Sequence, residues 1–240
     1  MSNILTLAQR EFGAFFLSPI AYAVNGIFLF SVGLAFGLGN FTPGGEATLR
    51  PTFDFWIMMI LCFVLPMLTM RLMSEELRSG TVETLLTVPV SETDVIVGKF
   101  TGAFFFYLVL LASMLIFPLI LSRFTQAFDW KLLFCNYVGL LLLGGLYIAV
   151  GLFFSTVTRH QVIAVLASFA VLALMTFASS ALAQQVSGWP KVIMQQISVR
   201  SHYEDFVKGM LDANNLIFFL TMTGLFLFLS VKLLETRRWK

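Results

Sequence analysis

Charge is scarce in this chain. Only 12% of its 240 residues are Asp, Glu, Lys or Arg, about half the share usual in soluble domains. Histidine and cysteine are scarcer, with two of each. His160 and His202 fall on opposite sides of the membrane in the topology below, so neither a metal site nor a catalytic triad can be built from them. There is no H-E-x-x-H, no G-x-S-x-G elbow and no Walker A loop, since Gly98-Lys99-Phe100 lacks the upstream glycine and the Ser/Thr. Cys62 and Cys135 lie in apolar runs and read as buried small hydrophobes, not as a disulfide framework. A basic stripe is also missing, which argues against nucleic acid as a partner.

What is present is apolar. Hydrophobic residues make up 58% of the chain, and charge-free runs cover 12–45, 55–70, 100–122, 132–158, 160–190 and 213–231. A bilayer core needs about 20 mostly apolar residues per helix. The runs predict six spans near 20–39, 53–73, 99–121, 132–157, 161–183 and 214–232, in one transmembrane domain covering 1–240. The second run is short, and at 1.5 Å per residue it measures about 24 Å, which sets Asp54 and Arg71 at the two interfaces. An even count puts both termini on one side. With that side cytoplasmic, the inner segments hold nine Lys and Arg and the outer loops six, the compact Arg237-Arg238-Trp239-Lys240 tail weighing most. The first span is expected to act as its own insertion signal, because no cleavable signal peptide precedes it.

No Asp, Glu, Lys, Arg or His falls in the interior of a predicted span; Asn25 and Asn136 are the most polar residues there. Ion-coupled carriers and voltage sensors place ionisable groups at that depth, so energy is expected from another chain. Met67, Met70 and Met73 advance by threes beside Met58 and Met59. A thioether site for Cu(I) is one reading, and flexible packing at a helix interface is the plainer one.

Two connections exceed ordinary loop length, 71–98 and 184–213. In the first, Gly80 can adopt the positive φ that reverses the chain. A short helix is expected over 81–87, with Val82, Leu85 and Leu86 on one face and Glu83 in the first turn. Pro89 stops it, and Ser91-Glu92-Thr93-Asp94 forms a capping box for the helix entering span three. Such an element is either an interfacial loop helix or a docking site for a cytoplasmic partner, and the physics of the residues fits both.

The residues themselves carry a resemblance. Glu-Glu-Leu-Arg-Ser-Gly-Thr-Val-Glu-Thr-Leu-Leu-Thr-Val-Pro-Val-Ser at 75–91, with Gly98-Lys99, resembles the E-x-x-x-G-T-x-E-x-L-L-x-x-P-V signature of ABC-2 type ABC transporter permeases. The segments from Arg10-Glu11-Phe12 to Tyr22, and from Ser201-His202-Tyr203 to Arg237-Arg238-Trp239, are similar to the start and end of the gliding-motility (GldF-like) and copper-maturation (NosY-like) branch. The resemblance implies an all-α integral membrane protein of the bacterial inner membrane, in which two permeases meet two ATPases and ATP and Mg are bound by the partner, with no cofactor in this chain. It also implies that 75–91 is a coupling helix seated on the ATPase. Carried over, Glu76, Arg78, Gly80, Thr81, Glu83, Leu85 and Leu86 occupy the coupling motif, Glu83 toward the partner and Leu85 and Leu86 against it or the bundle.

Leu5, Ala8, Phe12, Phe15 and Phe16 follow helical spacing before Ser18-Pro19, predicting an interfacial helix over 4–17, the elbow helix of that family. Outside, Ser201-x-x-Glu204 reads as a second capping box, opening a helix with Tyr203, Phe206, Val207, Met210 and Leu211 on one face and ended by Asp212-Ala213-Asn214-Asn215. That helix either shapes a lateral exit or forms a lid. Gly33-x-x-x-Gly37, Gly98-x-x-x-Gly102 and Gly145-x-x-x-Ala149 allow close helix approach, within the bundle or between two copies. The expected function is the non-catalytic permease of an ATP-driven exporter, a homodimer with a cytoplasmic ABC ATPase and possible auxiliary subunits. The rival is a membrane scaffold that anchors an extracytoplasmic complex and passes no substrate.

Overall fold

A computed structural model describes residues 2–40, 52–80, 91–124, 128–185 and 188–238. Every regular element is helical, with no strand among the described residues. The chain opens with α1 (Ser2–Leu17) and α2 (Pro19–Asn40). A π-helical turn at Thr52–Trp56 then feeds α3 (Ile57–Thr69), which continues into α4 (Arg71–Ser79). Next come α5 (Glu92–Met114), α6 (Ile116–Phe124) and α7 (Trp130–Val157). Gln161–Ala173 forms α8, which passes through a second π-helical turn at Leu174–Ala178 into α9 (Ser179–Gln185). Trp189–Ile197 is α10, Val199–Val207 is α11 and Ala213–Arg238 is α12. Six of these helical runs are long and apolar enough to cross a membrane.

The runs overshoot the predicted span ends. Span two is helical from Thr52 to Ser79, and span three from Glu92 to Arg123. Arg71 and Lys99 therefore lie within continuous helices instead of beginning or ending a loop, and the connection between spans two and three shrinks to the stretch between Gly80 and Ser91. The helix expected over 81–87 lies outside the described residues.

Helix α7 is the centre of the bundle. The ten consecutive residues from Leu143 to Leu152 are all buried, which requires neighbours on every side of the helix. Small residues admit those neighbours: a Cβ added at Gly144 would stand 2.1 Å from the Tyr107 ring, whose hydroxyl donates to the Leu140 carbonyl at 2.7 Å. The Tyr147 hydroxyl meets the Thr176 hydroxyl at 2.7 Å, tying α7 to the second π-helical turn. Few residues of spans one, five and six are buried, as in lipid-facing or subunit-facing helices.

Three local expectations are corrected. The helix that holds Tyr203 starts earlier than Ser201: Ser198 is its cap, accepting from the Ser201 amide at 3.3 Å, and Val199 is already buried in its first turn. Glu204 is not the capping partner, because its carboxylate pairs with Arg200 at 3.2 Å and Lys208 at 3.7 Å along the helix. The helix also ends at Val207, where Gly209 turns the chain with φ 81°, so Met210 and Leu211 leave the apolar face and stand half exposed. Finally, Met67 and Met73 do not share a face, since Met73 is buried and Met67 exposed.

Cys62 and Cys135 are buried and free. Of the small-residue pairs, Gly98 and Gly102 are used inside the chain: added Cβ atoms would meet Leu7 Cβ at 2.8 Å and Glu11 Cβ at 2.7 Å, both on α1.

Candidate functional site

The site lies where α1, α4 and α5 converge. On α5, Val95, Gly98, Lys99, Gly102 and Phe106 recur at helical spacing and form the face that receives α1. The two glycines let the backbones approach, and Phe15 stacks on Phe106 with centroids 5.0 Å apart. Ala8 and Phe15 are buried there and Phe16 meets the Phe106 ring edge-on, while Leu5 and Leu17 are exposed, so the apolar face expected of α1 is divided between α5 and the surroundings.

Close approach drives one charge inside. The Lys99 side chain is only 2% exposed, and a bare ammonium at that burial would be strongly disfavoured. Its Nζ donates to Glu11 Oε1 on α1 at 3.0 Å and to Glu76 Oε1 on α4 at 2.8 Å. Arg10 completes the group, 3.2 Å from Glu11 and 3.6 Å from Glu76. Two cations and two carboxylates thus balance, and they join three helices through one buried nitrogen.

The junction between α3 and α4 is a second feature. Pro66 cannot donate in the helical ladder, and seven and eight residues on, the amides of Met73 and Ser74 both donate to Ser155 Oγ of α7 at 3.0 Å. The Ser155 hydroxyl in turn donates to the Met70 carbonyl at 2.8 Å. The start of α4 is therefore pinned by one side chain of the central helix. Arg71 donates to Ser18 Oγ at 2.6 Å and lies over the Phe15 ring, fastening the α1–α2 turn to the same place. Arg237 near the end of α12 donates to the Val157 carbonyl at 2.8 Å, two residues past Ser155, so both chain ends share this face.

Beyond Glu76, α4 closes at Gly80, whose φ of 74° is the left-handed cap that glycine adopts without a Cβ penalty. Ser91 opens α5 with the predicted capping box, its Oγ accepting from the Asp94 amide at 3.1 Å while Asp94 accepts from the Ser91 amide at 3.3 Å. The 10 residues between, 81–90, are thus bounded by fixed turns.

The family of transporter proteins described as ABC-2 matches residues 7–238, nearly the whole chain. The chain belongs to the ABC-2 transporter family. No curated protein is similar enough to count as a match. An ABC-2 chain is the membrane permease subunit of an ABC system, normally non-catalytic, and its family implies pairing with an ABC ATPase.

In this permease, the predicted coupling residues divide. Glu76 lies in the buried charge group, Arg78 is exposed on the last turn of α4, and Gly80 makes the reversal. Thr81, Glu83, Leu85 and Leu86 lie outside the described residues. Sequence reasoning named Lys99, Arg10, Arg71 and Glu11 as topology charges or as parts of the resemblance, gave none of them a place in the site, and left out Ser155. The signal for Lys99 and Glu11 was present: a lysine inside a small-x-x-x-small pair, and a carboxylate on the amphipathic helix before span one. Among the described residues no three His, Cys, Asp or Glu side chains cluster to hold a metal ion.

Proposed function

We propose that this permease is the membrane half of an ATP-driven exporter of the gliding-motility or copper-maturation branch. It works as a homodimer in the bacterial inner membrane with both termini cytoplasmic, coupled to a separate ATPase through residues 75–91. The observation that carries this is the Lys99 group. Glu76 sits one turn before Gly80, at the base of the loop, and Lys99 ties it to α1 and α5 within 3.0 Å. A displacement of the loop by the ATPase moves α4, and the shared ammonium passes it to the amphipathic helix and to span three together. The Ser155 clamp at Met70–Ser74 supplies the pivot. No bond of a substrate is made or broken by this chain; its task is mechanical.

The test is on the loop. Gly80→Pro and Glu83→Lys are expected to insert normally yet lose permease-stimulated ATP hydrolysis and transport. Normal turnover in both variants would overturn the coupling assignment. The scaffold reading gains from the way α11 fills the opposite end of the bundle. Mild solubilisation decides between them: a Walker-containing protein that stays bound supports the exporter, and its absence from an otherwise intact complex supports the scaffold.

A further inference from the structure

A cavity of about 250 Å³ opens beside the Lys99 group, between α1, α4 and the start of α5. Its walls differ in chemistry. Ala14, Phe15 and Leu72 supply an apolar side, Arg71 a cation, and Glu75 and Glu76 carboxylates. Arg71 and Glu75 stand one turn apart on α4, and neither forms an ion pair among the described residues. Glu76 spends one oxygen on Lys99, while its Oε2 is buried with no hydrogen-bond partner among those residues. The cavity thus offers an uncompensated guanidinium and, one helical turn farther along, two carboxylates with acceptor capacity to spare.

The order of these charges has a direction. Arg71 follows directly on the apolar run Ile57–Thr69, and Glu75 and Glu76 lie farther from it toward Gly80. A membrane-spanning helix therefore presents its cation nearer the hydrocarbon and its carboxylates nearer water. A phospholipid whose headgroup ends in an amine has the same order, with phosphate next to the glycerol and ammonium outermost. The two-carbon linker between them spans about one helical turn, ~5 Å. We infer that the cavity binds the headgroup of an aminophospholipid of the ethanolamine type, phosphate on Arg71 and primary ammonium on Glu75 and Glu76.

The chemistry also says what is excluded. A primary ammonium brings three N–H donors to the carboxylates, and a quaternary choline brings none. A purely anionic headgroup brings no cation to Glu75, the one carboxylate of the cavity wall that no Lys or Arg pairs among the described residues. Phe15 and Leu72 would cover the glycerol end. Bound there, the lipid bridges α4 and α1 alongside the Lys99 group, so its headgroup becomes part of the contact between those helices.

The experiment is native mass spectrometry of the full-length protein in mild detergent, with dioleoyl phosphatidylethanolamine, phosphatidylcholine and phosphatidylglycerol added separately. Phosphatidylethanolamine is expected to be retained about tenfold better than either rival, the effect of one hydrogen bond to a charged group. Glu75→Gln, at an exposed position that does not threaten folding, should erase the preference over phosphatidylcholine. Arg71→Ala should weaken binding of phosphatidylethanolamine, and Arg71→Lys should restore part of it. Equal retention of the three lipids, or a preference unchanged in Glu75→Gln, overturns the proposal. So does full competition by soluble phosphoethanolamine, which would make the ligand a free metabolite instead of a lipid.

Discussion

The two ends of the second span can be compared directly. At its Ser79 end, three helices are held by four charges, one of them a buried ammonium, a cavity lies beside them, and a single serine hydroxyl serves the α3–α4 junction. At its Thr52 end, α11 presses Val199, Tyr203 and Phe206 into the bundle, each fully buried, with Phe206 and Tyr203 seated on Gly139 of α7. Charges are present there as well, Arg200 lying 3.8 Å from Asp54 and over Phe55, but they rim the contact and do not occupy its centre. Burial pushes the Tyr203 phenol well above its ordinary range, which keeps it neutral. Apolar packing of this density resists displacement. A charge group centred on one nitrogen can shift as a unit, because its members carry their partners with them. On the proposed function, the charge group is the movable contact, on the face that bears the loop, and the apolar packing opposite is the fixed one.

The largest effect should come from removing the centre of the charge group. Lys99→Met leaves Glu11 and Glu76 facing each other with only Arg10 near, and breaking a buried ion group in this way costs about 3–5 kcal/mol. Thermal unfolding in detergent should show a marked loss. The triple change Lys99→Met with Glu11→Gln and Glu76→Gln should recover much of it, since the one charge then left unpaired, Arg10, is exposed. That recovered protein is the sharper instrument: it should fold yet fail to stimulate the ATPase. A stable Lys99→Met single variant would mean that the ammonium is not held as described.

The next effect belongs to the packed interior. Gly144→Ala drives a methyl to 2.1 Å from the Tyr107 ring, whereas Gly145→Ala finds its nearest atom 3.6 Å away, on Phe104. Overpacking costs about 1–3 kcal/mol, so the first change should lower the melting temperature and the second should leave it nearly unchanged. Equal melting of the two would remove the contrast between a rigid interior and a movable face.

These particulars show what could be read from the chain alone. Six apolar runs matched the six candidate spans, because hydrocarbon thickness leaves few alternatives, and the capping box at Ser91 was legible because both partners lie within four residues. The charge group was not. Lys99, Glu11 and Glu76 are separated by 88 and 23 positions, and no local rule pairs residues so far apart; only the packing of α1 through Gly98 and Gly102 joins them. Ser155 was hidden for the same reason, being one serine in an apolar span whose partners are backbone amides 81 and 82 residues away. Local periodicity gave α1 its helical form and could not say that half of its apolar face would be taken by α5.

The smallest effect concerns the rim of the fixed end, where two serines three residues apart compete for the cap of α11. A cap works through its side-chain oxygen, which satisfies an amide that the helix leaves free. Ser198 has the extended backbone of a cap, φ −69° and ψ 110°, and its hydroxyl oxygen receives the Ser201 amide. Ser201 takes part through its backbone, and its side chain is not needed for that bond. Ser198→Ala should therefore cost about 1 kcal/mol. Ser201→Ala should be neutral or slightly stabilising, since alanine is the best helix former at such a position. Amide exchange over Val199–Tyr203 reads the same contrast locally: it should quicken in the first variant and not in the second. If Ser201→Ala proved the damaging change, α11 would begin a turn later, Val199 and Arg200 would leave the helix, and the Arg200 contact with Asp54 that rims the fixed end would have to be rebuilt.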